Sequence, residues 1–364
     1  MRNFLLIISS IFLTLVFVEF ILLNFSWLSY QKDKWHLPDR FSKNFYEKYY
    51  KQLHHLRDFK KKNYDMGLMY TSVKDEQDKE SGKKYRPTVL INGDSWAENL
   101  LYGIVFEELV KIKKKEKINI IVSGSSSYSF SPTTIQLKIL RNDFNIVPEK
   151  IITIIDHTDV GDEICRYKNN LEFDENGTLL RIKPEELYSG EVYAIEPHFA
   201  RFDILDSKDL NIIKLLKYEI LKRKIKKNIK KTRCTFTELM RPVKNNLDQN
   251  EFIHLKKTTL RYIDTVFSDK NVEKLLLVVH PHIEHFAGKY KFYFGDFLRE
   301  ILPGNIHEDK IALLDFREIF DEVYFNDYQF QKYQDIFLVT DPSSHLNRPG
   351  RIPFVNRIFN ELLH

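Results

Sequence analysis

The chain has 364 residues, 43% hydrophobic and 14% aromatic, enough to bury one large core and carry further elements. A formal net charge of +5, with no arginine-rich tract and no reader motif, argues against nucleic acid as a partner. Two cysteines, Cys165 and Cys234, cannot build a structural zinc site by themselves, and whether they pair or remain buried thiols is open at this level.

The first element is apolar. From Phe4 to Leu28 the only charge is Glu19, and at helical rise such a run crosses a hydrocarbon layer of ~30 Å. A cleaved signal peptide would have an apolar core of about 7–15 residues followed by small residues. Here the flank is aromatic and bulky, Phe25-Ser26-Trp27-Leu28-Ser29-Tyr30. The segment is read as an uncleaved membrane anchor with Trp27 and Tyr30 in the interfacial belt. Glu19 would cost roughly 3 kcal/mol if charged at mid-membrane, so it is expected to be protonated or to face a partner helix. Arg2 favours the inside while Lys32 and Lys34 oppose it; the size of the domain that follows tips that domain outside. Residues 29–84 read as a stem or packing extension. Phe45, Tyr49, Leu53 and Leu56 suit one face of an amphipathic helix, and Lys74 to Lys84 looks like an exposed connector.

Apolar runs alternate with helical stretches from Arg86 onward. Strands are expected near 88–92, 118–122, 150–155, 274–280, 311–315 and 336–340, and helices near 96–113, 132–142, 250–268 and 288–301, with a last one from Ile352 to Leu363. Runs such as Ile151 to Ile155 are continuous rather than alternating, as burial on both faces requires. The alternation predicts a three-layer α/β/α fold around a mainly parallel sheet. Residues 165–250 form an insert. It contains a hairpin over Asn170 to Lys183, a strand over Val192 to Phe202, and a basic helix over Leu210 to Arg233 whose Tyr218, Leu221, Ile225 and Ile229 share a face. This insert is expected to overhang the active edge of the sheet, shaping access or lying on anionic lipid; an ordinary solvated helix is the commoner alternative.

Chemistry concentrates where strands end. The run Thr88 to Ile91 passes into Asn92-Gly93-Asp94-Ser95-Trp96, where a glycine allows a sharp turn and a starting helix leaves amide N–H groups free for a developing oxyanion. Asp and Ser are also common helix caps, so this tripeptide alone is weak. A second segment strengthens it. Ile336 to Thr340 leads into Asp341-Pro342-Ser343-Ser344-His345, supplying the imidazole that a serine hydroxyl needs and a carboxylate to orient it. Further histidines, His280-Pro281-His282 and His285, follow another strand, but their spacing is poor for metal and no metal site is expected.

These segments resemble the SGNH or GDSL hydrolase family over residues 85–364. Gly93-Asp94-Ser95 matches its first block, Ser123-Gly124 the glycine of its second, Asp156 to Asp159 the place of its third, and Asp341 to His345 its fourth. The third block lacks its asparagine, leaving Thr158 at that position, and the fourth is one residue too long. The resemblance implies an SGNH-hydrolase-like domain of flavodoxin-like topology and no cofactor. It implies Ser95 as nucleophile, His345 as base, Asp341 as its orienter, and an oxyanion hole from the amides of Ser95 and Gly124 with Thr158. Asp94, Asp156, His157 and Asp159 are expected to contact substrate. With the anchor, the implied activity is a serine esterase acting on O-acyl groups of cell-envelope glycans, held in the inner membrane and facing the periplasm or outside. An O-acyltransferase or a degenerate, non-catalytic glycan-binding subunit is the alternative.

Overall fold

The computed structural model describes residues 2–24, 70–73, 86–101, 103–182, 209–228, 234–338 and 345–364. The chain divides into two compact units: residues 1–56 with 184–232, and residues 57–183 with 233–364.

In the first unit the apolar run forms a helix over Arg2–Asn24, and the basic segment of the insert forms another over Asn211–Asn228. The Glu19 carboxylate joins them, accepting from the backbone amides of Asn211 at 2.8 Å and Ile212 at 2.9 Å. Those amides belong to the first turn, where no intrahelical acceptor exists and a negative charge is favoured. Glu19 thus faces a helix. Among the described residues no helix is long and apolar enough to cross a membrane. Residues 25–28, the expected stem helix around Phe45 to Leu56, the connector 74–84 and the strand expected over 192–202 lie outside the described residues.

The second unit is built on a six-stranded sheet. Its strands are β1 (Thr71–Ser72), β2 (Thr88–Gly93), β3 (Asn119–Val122), β4 (Lys150–Ile155), β7 (Lys274–Val279) and β8 (Ile311–Asp315), while β5 (Leu171–Phe173) and β6 (Leu179–Ile182) make the separate hairpin of the insert. The order is β1-β3-β2-β4-β7-β8. All pairings are parallel except β1 with β3. Both faces are covered, which is why the central strands read as unbroken apolar runs. Val89, Ile91, Ile152, Ile154, Leu276 and Val278 share one core with residues of the helices Ile104–Glu116 and Arg348–Leu363. On the other face Asn92 and Thr153 bond the hydroxyl of Tyr262 at 2.9 and 2.6 Å, on the helix Gln249–Phe267, which packs with Phe130–Phe144.

Three expectations change. The end of the expected stem supplies β1, an antiparallel edge strand that covers β3. The expected strand 336–340 does not join the sheet; Phe337 makes an isolated antiparallel bridge with Leu346, and residues 339–340 lie outside the described residues. Ile336 and Phe337 are buried all the same, Phe337 stacking on Phe320 at 5.9 Å. A short apolar run satisfies a core without pairing, and periodicity does not separate the two cases. The helix expected over 96–113 breaks into Ser95–Glu98, a 3-10 turn Asn99–Leu101 and Ile104–Glu116, because Gly103 adopts φ +61°. Cys165 and Cys234 are joined in a disulfide with a Cα separation of 5.8 Å.

Candidate active site

Ser95 stands at the C-terminal end of β2, as the first residue of the helix Ser95–Glu98. Two glycines make that position possible. Gly93 has φ +134°, and a Cβ there would lie 2.3 Å from the carbonyl oxygen of Ile154 on β4. At Gly124 a Cβ would meet the amide nitrogen of Glu98 at 2.2 Å, so the loop after β3 can press directly on the serine helix. Glu98 holds that loop by accepting from Ser126 N at 2.8 Å and Ser126 Oγ at 2.7 Å, while Ser125 N donates to Gly93 O at 3.0 Å. Nothing in the sequence beyond its place one turn after the serine marks Glu98 for this role.

His345 arrives from the C-terminal segment. Its Nε2 lies 2.7 Å from Ser95 Oγ, across 250 positions of chain. The segment is fastened on both sides: Leu338 N donates to His345 O at 2.8 Å, and Asn347 caps the helix Arg348–Leu363 by accepting from Gly350 N at 2.9 Å. Beside the pair lies a shallow depression lined by Trp96, Asn99, Leu100, His345, Leu346, Arg351 and Phe354. Asp341, the expected orienter of His345, lies outside the described residues.

The loop after β4 differs from expectation. Asp94, Asp156 and Asp159 are buried, not turned to a substrate, and each offers an oxygen within 4.8 Å of the others. Asp94 Oδ1 caps the serine helix, accepting from Trp96 N at 2.8 Å, and its Oδ2 lies 3.1 Å from Ser95 Oγ. Asp156 Oδ1 accepts from the amide and, at 2.6 Å, the hydroxyl of Thr158, and from Asp159 N at 3.3 Å. Asp159 Oδ2 accepts from Asp156 N at 3.0 Å. Thr158 therefore gives its hydroxyl hydrogen to Asp156 and has none for an oxyanion, a correction to its expected role. A shorter side chain turned back on its own loop replaces the long reach of an amide. Burial first, and then neighbouring carboxylates, push Asp94 and Asp159 well above the ordinary carboxylate range. Three carboxylates at this separation are also few enough and close enough to hold one cation.

His157 is buried with both ring nitrogens unbonded, its ring 4.3 Å from that of His282, and burial with the neighbouring His285, His345 and His280 pushes its pKa well down. The sequence expectation for His157 is a substrate contact, and its side chain is 5% exposed. His280 and His285 are occupied by protein. Nδ1 of His280 donates to Pro281 O at 2.9 Å and Nε2 accepts from Tyr324 at 3.0 Å, with burial pushing the pKa down to about 3. His285 accepts from His282 N at 2.9 Å and donates to Phe292 O at 3.1 Å. In the π-helical turn Asp162–Tyr167, which follows the loop after β4, Glu163 accepts from the hydroxyls of Ser129 and Ser131, both at 2.5 Å, and meets His254 at 3.2 Å. Burial raises its pKa, but His254 and the two serines outweigh it and hold the carboxylate below its ordinary value. Asp162 goes the other way, burial lifting it to about 7 against Arg166 at 2.6 Å.

No family model matches the chain, and no curated protein matches it. Among solved structures it is similar to a catalytic mutant of Axe2, an acetylxylan esterase from Geobacillus stearothermophilus, at 11% identity and a TM-score of 0.37, covering 77% of this chain and 96% of that one.

Proposed function

We propose that this protein is a serine-dependent esterase of the SGNH type, and the observation that carries the reading is the 2.7 Å contact between Ser95 Oγ and His345 Nε2. A hydroxyl is a poor nucleophile at neutral pH until a base takes its proton in the transition state. His345 is placed to do so. Ser95 Oγ then bonds the ester carbonyl carbon, the carbonyl oxygen becomes an oxyanion, and the amides of Ser95 and Gly124 receive it. Collapse breaks the bond to the alcohol oxygen, which leaves with the proton held by His345; water repeats the sequence on the acyl-enzyme and frees Ser95. Asp341 orients His345 in this scheme.

The substrate class we propose is O-acyl, chiefly O-acetyl, groups on cell-envelope glycans, with the enzyme held at the inner membrane by the apolar segment Phe4 to Leu28 and facing the periplasm or outside. The Cys165–Cys234 disulfide fits an oxidising compartment. One observation favours a second reading, a non-catalytic glycan-binding subunit: the Thr158 hydroxyl is spent on Asp156 and is not offered at the third oxyanion position. Active-serine labelling with a fluorophosphonate separates them. The parent should label and Ser95→Ala should not, with His345→Ala labelling at least ~100-fold more slowly. A folded parent that forms no Ser95-dependent adduct refutes the esterase reading. Turnover of an aryl acetate with and without an added oligosaccharide acceptor then distinguishes hydrolysis from transfer of the acyl group to a sugar hydroxyl.

A further inference from the structure

The helix Asn211–Asn228 carries apolar residues on two sides. Tyr218 is buried, as a packing face requires. Ile213, Leu216 and Ile220, with Leu210 just before the first turn, recur at spacings of three and four and so share one face. Tyr218 stands two positions from both Leu216 and Ile220, which puts it on the other side. The second face is open: Leu216 is 58% exposed and Ile220 65%. Single exposed aliphatic residues need no explanation, but a contiguous stripe of them marks a surface that meets something.

Charge is divided along the same helix. In its first half Lys217 is engaged by Asp209 at 2.5 Å. Its last two turns read Lys222-Arg223-Lys224-Ile225-Lys226-Lys227, and Glu219 is its one acid. A stretch that is aliphatic and then strongly cationic is complementary to a surface where negative charge overlies hydrocarbon. An acidic protein would match the lysines and leave the aliphatic stripe in water. An uncharged apolar partner would match Leu216 and Ile220 and leave the cations unused.

The connection to the apolar helix Arg2–Asn24 is a separate observation. The Glu19 carboxylate accepts from the amides of Asn211 and Ile212, so the start of the basic helix is fastened to the segment read as the membrane anchor. Phe17 and Phe20, beside Glu19 in that segment, are exposed as well.

Resting on the membrane-anchor part of the proposed function and not on the chemistry of Ser95, we propose that Asn211–Asn228 is an interfacial helix bound to an anionic bilayer. Ile213, Leu216 and Ile220 enter the acyl-chain boundary, and the basic stretch Lys222 to Lys227 binds the phosphate headgroups. Glu19 holds the first turn beside the anchor, so the helix meets the bilayer at a high effective concentration.

The test uses the full chain reconstituted in vesicles. Both native cysteines are held in the disulfide, so one introduced thiol takes an environment-sensitive NBD label. Ile220→Cys reports on the aliphatic stripe, and Glu175→Cys, exposed between β5 and β6, reports on water. In vesicles with about 30% phosphatidylglycerol, brominated acyl chains should quench the label at 220 at least about twofold more than the label at 175. In phosphatidylcholine alone the quenching at 220 should be weaker. Replacing Lys222, Arg223, Lys226 and Lys227 together by Gln should remove that difference between the lipids, as should salt of about 1 M. Water-like emission without quenching at 220, in a chain that floats with the vesicles, overturns the proposal. Quenching at 220 that ignores headgroup charge overturns it too. A blue shift that grows with the protein-to-lipid ratio, without acyl-chain quenching, also overturns it, because a second copy then covers the stripe. A chain that does not float removes the anchor reading and this proposal with it, a failure that flotation separates from the others and that leaves the Ser95 labelling test untouched.

Discussion

Ser95 Oγ lies between an imidazole from the far end of the chain, His345 Nε2 at 2.7 Å, and the carboxylate of its own neighbour, Asp94 Oδ2 at 3.1 Å. A Cβ at position 124 would lie 2.2 Å from Glu98 N, so only a glycine there lets the loop after β3 approach the serine helix. Thr158 is the informative departure. Its hydroxyl is 2.6 Å from Asp156 Oδ1, so it braces the loop after β4 and does not stabilise an oxyanion. Removing a true oxyanion donor costs about 10²–10³ in kcat. Thr158→Val keeps the branched shape and should lower kcat on an aryl acetate by less than ~10-fold, Asp156 Oδ1 retaining its two backbone donors. A loss of 100-fold or more would restore Thr158 to the oxyanion hole.

At the scale of elements, two helix starts receive a carboxylate from elsewhere in the chain. Glu163 serves the helix Phe130–Phe144 by accepting from the amide of Ser131 at 3.1 Å as well as its hydroxyl. Glu19 serves Asn211–Asn228 in the same way. The disulfide closes the base of the insert, linking the π-helical turn Asp162–Tyr167 to Cys234, which precedes the N-cap Thr235 of the helix Phe236–Asn245; that helix begins with a capping box from Thr235 and Glu238. With 69 residues between its ends, the chain-entropy account of such a link gives about 4 kcal/mol as an upper value. The double variant Cys165→Ala, Cys234→Ala should lose roughly 2–4 kcal/mol in urea unfolding, and the parent should lose the same on reduction. No change in the midpoint would mean that the crosslink does not constrain the unfolded chain.

Across the second unit, the five parallel strands lie in the order β3-β2-β4-β7-β8, so the sense in which successive strands are added to the sheet reverses between β2 and β4. Crevices open at the carboxyl ends of strands where such a reversal occurs. Ser95 follows β2 and the three-carboxylate loop follows β4, which is why they meet. Burying acid has a cost in pH dependence. Asp162 is raised to about 7 from an ordinary 3.8, so between those values the folded protein binds a proton that the unfolded chain has released. Stability therefore falls as pH rises through that window, by at most about 1.4 kcal/mol per pH unit for this group. Asp162→Asn should flatten the decline of Tm between pH 5 and 8; an unchanged slope would show that Asp162 is ionised beside Arg166 throughout.

The local parts of this protein were legible in the linear chain. Thr88 to Gly93 reads as a buried strand ending in a sharp turn, and Asp94 and Ser95 read as a helix start, because periodicity and turn chemistry are set by neighbours within a few residues. The β1 edge strand and the refusal of residues 336–338 to enter the sheet were not legible, since a polar pair such as Thr71-Ser72 and a short apolar run such as Ile336 to Leu338 carry no usable periodicity. Burial of Asp94, Asp156 and Asp159 against one another, the turn of Thr158 away from the oxyanion, and the approach of His345 to Ser95 were decided only by tertiary structure. A side chain's type states which hydrogen bonds it is able to make; which it makes depends on the partners that sheet order and loop packing bring within reach.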